Sequence, residues 1–99
     1  MNINYKQIKT NNITASAGEL IRIHAQIIDE NNQPVEKTTP VNIKLGGRSI
    51  ANLNTSNALI DYEYTLPENI KSGIYDLLIQ AGETSGYTHA STNTKIKIK

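Results

Sequence analysis

Leu20-Ile21-Arg22-Ile23-His24-Ala25-Gln26-Ile27-Ile28 alternates apolar and polar side chains along most of its length. Successive side chains of an extended chain point to opposite faces. Ile21, Ile23, Ala25 and Ile27 therefore share one face, and Arg22, His24 and Gln26 share the other. The pattern predicts a strand with one face on a core and one in solvent.

The same period recurs on either side of it. The segment from Asp29 to Lys37, centred on Asn31-Asn32-Gln33-Pro34, is rich in turn formers, and Pro34 brings no ladder donor, so a connection falls there. Val41, Ile43 and Leu45 then alternate with Asn42 and Lys44. Gly46-Gly47 supplies the positive φ that a two-residue hairpin turn requires, which predicts a return strand from Arg48 to Leu53. Asn54-Thr55-Ser56-Asn57 reads as the next turn. Beyond it Ala58, Ile60, Tyr62 and Tyr64 form one face and Leu59, Asp61, Glu63 and Thr65 the other, with Pro67 closing the strand.

Ile70, Ile74, Leu77, Leu78 and Ala81 fit helical spacing, whereas Tyr75, Leu77, Ile79 and Ala81 fit strand spacing. The strand is favoured, because Gly73 inside a helix costs about 1 kcal/mol relative to alanine. Gly82 to Thr88 is a loop, after which Ile96 and Ile98 alternate with Lys95, Lys97 and Lys99 in a strand running to the last residue. About seven short strands separated by glycine and proline turns predict an all-β, two-sheet immunoglobulin-like sandwich. Its core should contain Ile23, Ala25, Ile43, Ile60, Tyr62, Leu77, Ile79 and Ile96. Tyr75 follows Gly73 in the glycine-x-tyrosine pattern of a tyrosine corner, whose hydroxyl bonds upstream backbone.

The 99 residues suit a single domain, residues 1–99, and Leu, Ile and Val supply 24 of them with no Phe, enough apolar content to fold. A net charge of +1 provides no broad positive field, which argues against a nucleic-acid partner. No apolar run reaches the length of a membrane span, and the amino terminus lacks the basic-then-apolar pattern of a signal peptide, so a soluble module excised from a larger protein is expected. The absence of cysteine removes disulfides, thiolate metal sites and cysteine nucleophiles together.

Ser72-Gly73-Ile74-Tyr75, Leu77, Ile79, Ala81-Gly82, Gly86-Tyr87, Ala90-Ser91, Thr94 and Ile96-Lys97-Ile98 together resemble the closing half of immunoglobulin-like repeats in large adhesin-like cell-surface proteins of archaea and bacteria. The alternating strand ending at Asp29 and the loop through Pro34-Val35 resemble the opening half, although Gln33 stands where many such loops carry glycine. The resemblance implies an architecture and an extracellular, cell-surface or cell-wall setting. It transfers no active site.

The residues that could carry chemistry each have a plainer role. Asp61 and Glu63 sit two apart on one strand face, roughly 6 to 7 Å between side chains, within the range of the paired carboxylates of sugar hydrolysis. Cross-strand pairing with Arg22 and His24 explains the same residues. His24 and His89 show no paired metal-ligand spacing. Asp29-Glu30-Asn31-Asn32 offers oxygens of the kind that bind calcium, but a polar turn needs the same residues. Lys95, Lys97 and Lys99 read as edge-strand protection against aggregation. Asn12-Ile13-Thr14 and Asn54-Thr55-Ser56 are glycosylation sequons in segments expected to be exposed. Tyr5 and Tyr87 are the tyrosines expected at the surface.

The expectation is a non-catalytic stalk or adhesive module with no metal and no cofactor. Its partners would be neighbouring repeats of the same chain and surface glycans or proteins, without direct membrane insertion. A ligand- or carbohydrate-binding accessory module is the alternative, weakened by the lack of Trp and Phe.

Overall fold

The computed structural model describes residues 6–83 and 87–99 and contains two sheets and, among the described residues, no helix. The strands are β1 (Lys6–Thr10), β2 (Ile13–Ala15), β3 (Leu20–Asp29), β4 (Thr39–Leu45), β5 (Arg48–Thr55), β6 (Leu59–Thr65), β7 (Gly73–Ala81) and β8 (Ala90–Ile98). One sheet has the order β1-β3-β6 and the other β2-β8-β7-β4-β5. All pairings are antiparallel except β2 with β8.

Alternation decides which residues meet between the sheets. Ile23, Ile27, Ile43, Leu77, Ile79 and Ile96 are completely buried, and Ile60 nearly so. The expected core residue Ala25 is buried as well, and Tyr62 packs against the cluster with its hydroxyl donating to the Ile50 carbonyl at 3.3 Å. Val35, Leu66 and Ala15 join the core from connections and a short strand where too few residues alternate to announce a buried face. The Glu68–Gln80 ambiguity resolves as a strand from Gly73, with Leu77 and Ile79 inward and Ile74 exposed.

The N-terminal segment, to which alternation assigns no strand, supplies two. β1 pairs with β3 in the smaller sheet, and after Asn11-Asn12 the chain crosses to the larger sheet, where β2 runs beside the end of β8. Asn12 holds the crossing: its Oδ1 accepts from the Thr94 hydroxyl at 2.5 Å and the Lys95 amide at 3.1 Å. This is why the strand number is eight. It also corrects the edge-strand reading of Lys95, Lys97 and Lys99, since β8 lies inside its sheet between β2 and β7. β8 ends at Ile98, and the Lys99 amide goes on to donate to the Ala15 carbonyl.

The turns follow their residues. Gly46 and Gly47 have φ of 59° and 84°, the two positive values of a type I′ hairpin between Leu45 and Arg48. The return strand is longer than expected: β5 runs to Thr55, so Asn54 lies opposite Pro40 in the sheet and the turn comes after it. A bulge at Ile43/Lys44 admits the extra residue Ile50 on β5.

The two ends of the described strand set lie at opposite poles. Lys6 of β1 pairs with Asp29 at the end of β3, whereas β8 ends beside Gly73 and Ala15, near the pole where Leu20 pairs with Thr65. The long axis measures 49 Å against 19 and 18 Å across.

The tyrosine corner forms. Tyr75 is half-buried against the core and its hydroxyl donates to the Lys71 carbonyl at 2.7 Å. Tyr75→Phe should cost about 0.5–1.5 kcal/mol, the worth of one hydrogen bond, and Tyr75→Ala clearly more, about 3 kcal/mol, as packing is lost too. Asn12→Ala should cost about 1–3 kcal/mol because the Thr94 hydroxyl and Lys95 amide lose their acceptor. Urea unfolding of the three variants measures all of these differences.

Candidate functional site

The outer face of the smaller sheet carries the paired carboxylates. Register places Glu63 opposite Arg22 and Asp61 opposite His24. Arg22 Nη2 lies 2.5 Å from Glu63 Oε1, and Arg22 Nε lies 3.9 Å from Asp61 Oδ1, which is also 3.7 Å from His24 Nδ1. The hydrogen bond that Arg22 donates to Glu63, then the Coulomb attraction of Glu63 and Asp61, holds the guanidinium above its ordinary pKa. All four side chains are about half or more exposed, so solvent screens their attractions. A glycosidase needs one carboxyl kept protonated in a shielded place. Here both are exposed and lie beside Arg22 in open solvent.

The other candidates disperse. His24 sits on β3 in the smaller sheet and His89 just before β8 in the larger one. Asp29 Oδ1 accepts from the amides of Asn31 at 2.8 Å and Gln33 at 2.9 Å, while Asn32 adopts φ of 65°, so this carboxylate is employed in closing the turn. Among the described residues no group of three or more His, Asp or Glu side chains is placed to hold a metal ion. Lys95 pairs with Asp76, its neighbour across β7 and β8.

Of the sequon asparagines, Asn12 lies in the crossing between β1 and β2 and clasps β8, and Asn54 is exposed on β5. Tyr87 is half-buried against the core, which corrects its expected exposure, and Tyr5 falls outside the described residues. Tyr62, Tyr64 and Tyr75 are half-buried too. Among the described residues, therefore, no tyrosine stands fully exposed.

Alternation did not single out the outer face of the larger sheet, where register lines up Asn52, Asn42, Gln80 and Ser91 on four adjacent strands. They line a depression of about 590 Å³. The signal for it lay in the polar positions of β4, β5 and β7, which carry amides where Lys or Glu would serve solubility equally well.

No family model matches the chain, and no curated protein matches it significantly. Solved structures do. The CARDB domain of the PF1109 protein from Pyrococcus furiosus, in complex with di-metal ions, is 11% identical with a TM-score of 0.60, covering 100% of this chain and 98% of that one. This chain is an immunoglobulin-like β-sandwich. The third ScaB cohesin of R. flavefaciens, in complex with a group 1 dockerin, is 14% identical with a TM-score of 0.58 over 95% of this chain and 94% of that one. The PKD domain of human KIAA0319 is 9% identical with a TM-score of 0.55 over 99% and 84%. At these identities the likeness is one of fold.

Glu63→Ala and Asp61→Ala should each shift unfolding free energy by no more than about 0.5 kcal/mol, as exposed pairs do. Calorimetric titration of the domain with calcium and with zinc should show no micromolar binding. A tight stoichiometric site for either ion would contradict the dispersal of ligands described above.

Proposed function

We propose that this domain is a non-catalytic module of a secreted or wall-associated surface protein, acting as a spacer that carries adhesive surfaces, with residues 1–99 as one repeat unit. The observation that carries this reading is the placement of the two ends of the fold. The first described strand begins at the Asp29 pole and β8 ends at the opposite pole of an elongated body, so copies joined in series extend and do not fold back. The resemblance of the Gly73-x-Tyr75 half to adhesin-like repeats, together with the likeness to CARDB and cohesin domains, points the same way.

A non-enzymatic role agrees with the chemistry present. Asp61 and Glu63, the paired carboxylates, are exposed and engaged with Arg22. Binding partners of such a module are recognised on loops, edges and sheet faces, which vary without disturbing the strands that fold it.

Two measurements test the proposal. Small-angle scattering from three copies joined in series should give a maximum dimension close to three times that of one copy, and a compact globule overturns the spacer reading. Antibodies raised against the domain should label intact cells of the source organism. Labelling obtained only after permeabilisation overturns the surface assignment.

A further inference from the structure

The outer face of the larger sheet carries a feature that a bare spacer does not require. Asn52 of β5 pairs with Asn42 of β4, Asn42 with Gln80 of β7, and Gln80 with Ser91 of β8, so four uncharged hydrogen-bonding side chains form one row across the sheet. Alternation fixes them outward, because Val41, Ala81 and Ala90 beside them are buried. A second row runs alongside, from Asn54 through Pro40 and Gly82 to His89. Between the rows lies the depression of about 590 Å³, and among the described residues no carboxylate, lysine or arginine lines it.

The row is held in position from within. Asn42 Nδ2 donates to Ser49 Oγ at 2.8 Å, Asn52 Oδ1 at 2.7 Å and the Ala51 carbonyl at 3.2 Å. The nitrogen end of Asn42 is the one that suits the Ala51 carbonyl, a partner that can only accept. Asn52 thereby keeps its own Nδ2 as a donor, while Asn42 Oδ1 is shielded from solvent without any partner, an unmet requirement for a donor. The Pro40 ring packs over Gly82, where a Cβ would come within 2.9 Å of Pro40 Cγ.

We infer that this depression binds a linear, uncharged glycan laid across the strands, an inference that goes beyond the spacer role and does not depend on it. Each amide offers both a donor pair and an acceptor, the complement of neighbouring hydroxyls on a sugar ring. Adjacent strands repeat about every 4.8 Å, close to the length of one pyranose unit along an extended chain, so successive rings meet Asn52, Asn42, Gln80 and Ser91 in turn. The Pro40 ring, packed over Gly82, faces the less polar edge of the sugar in place of an aromatic platform. Charge selects against the alternatives: among the described lining residues nucleic acid and acidic peptides find no lysine or arginine, and cationic ligands find no carboxylate.

The test follows side-chain amide signals by NMR while the domain is titrated to millimolar concentrations with cellohexaose, mannohexaose, chitohexaose, hexagalacturonate and the uncharged peptide N-acetyl-tetraglycine amide. At least one neutral hexasaccharide should give saturable shifts centred on Asn42, Asn52 and Gln80. Gln80→Ala and Asn52→Ala, both at exposed positions, should keep the melting temperature and weaken that binding about tenfold or more. Glu63→Ala, on the opposite sheet, should leave it unchanged. The proposal is overturned if no neutral hexasaccharide produces saturable shifts, if the shifts survive both amide variants, or if the peptide or the anionic sugar binds as well as the best neutral one.

Discussion

Everything in this fold depends on filling the space between two sheets without large aromatic residues. With no Phe or Trp in the chain, the interior is set by β-branched isoleucine, whose stiff side chain suits a pleated surface. Ile23 and Ile27 from the smaller sheet and Ile43, Ile79 and Ile96 from the larger one are sealed completely. Tyrosines fill the flanks where a ring is wanted and water is near enough for the hydroxyl. Tyr75 and Tyr62 each spend that hydroxyl on a backbone carbonyl, of Lys71 and Ile50 respectively. Because each strand contributes every second residue to this interior, the polar residues between them were free to take on other work. That freedom produced two outer faces, the smaller sheet's laced with charge and the larger sheet's carrying a row of amides beside the Asp76–Lys95 pair.

Period two was legible wherever both faces of a strand had unlike neighbours, as in β3, β6 and the end of β8. It failed where burial is decided by position in the chain path. β1 and β2 are too short to alternate convincingly, and the crossing between them is held by Asn12 reaching Thr94 and Lys95, partners more than eighty residues away. Val35 and Leu66 are buried because connections fold over the sandwich ends, a fact that no local pattern contains. The lysines of the last strand looked like edge protection because sequence does not reveal that a short parallel strand covers that edge.

Charge pairing on the smaller sheet was readable, since antiparallel neighbours in this fold bring Arg22 to Glu63 and His24 to Asp61. The amide row was not, because its four members come from four strands and only the register aligns them. Each of those residues alone is an ordinary solvent-facing polar side chain. Together they make a neutral surface on a chain with 19% charged residues.

The parallel contact between β2 and β8 has a consequence for a body that is pulled. Both strands point toward the same pole, so tension applied through the two ends drags β2 back along its own axis while drawing β8 forward. The ladder from Ile13–Ala15 to Ile96–Ile98 is then loaded in shear, its hydrogen bonds resisting together instead of opening one at a time. The Asn12 clasp to Lys95 and the Lys99 amide on Ala15 lie at either end of the same seam and share the load. A short strand of three residues thus adds a sheared seam to the β1–β3 ladder on the same side of the domain.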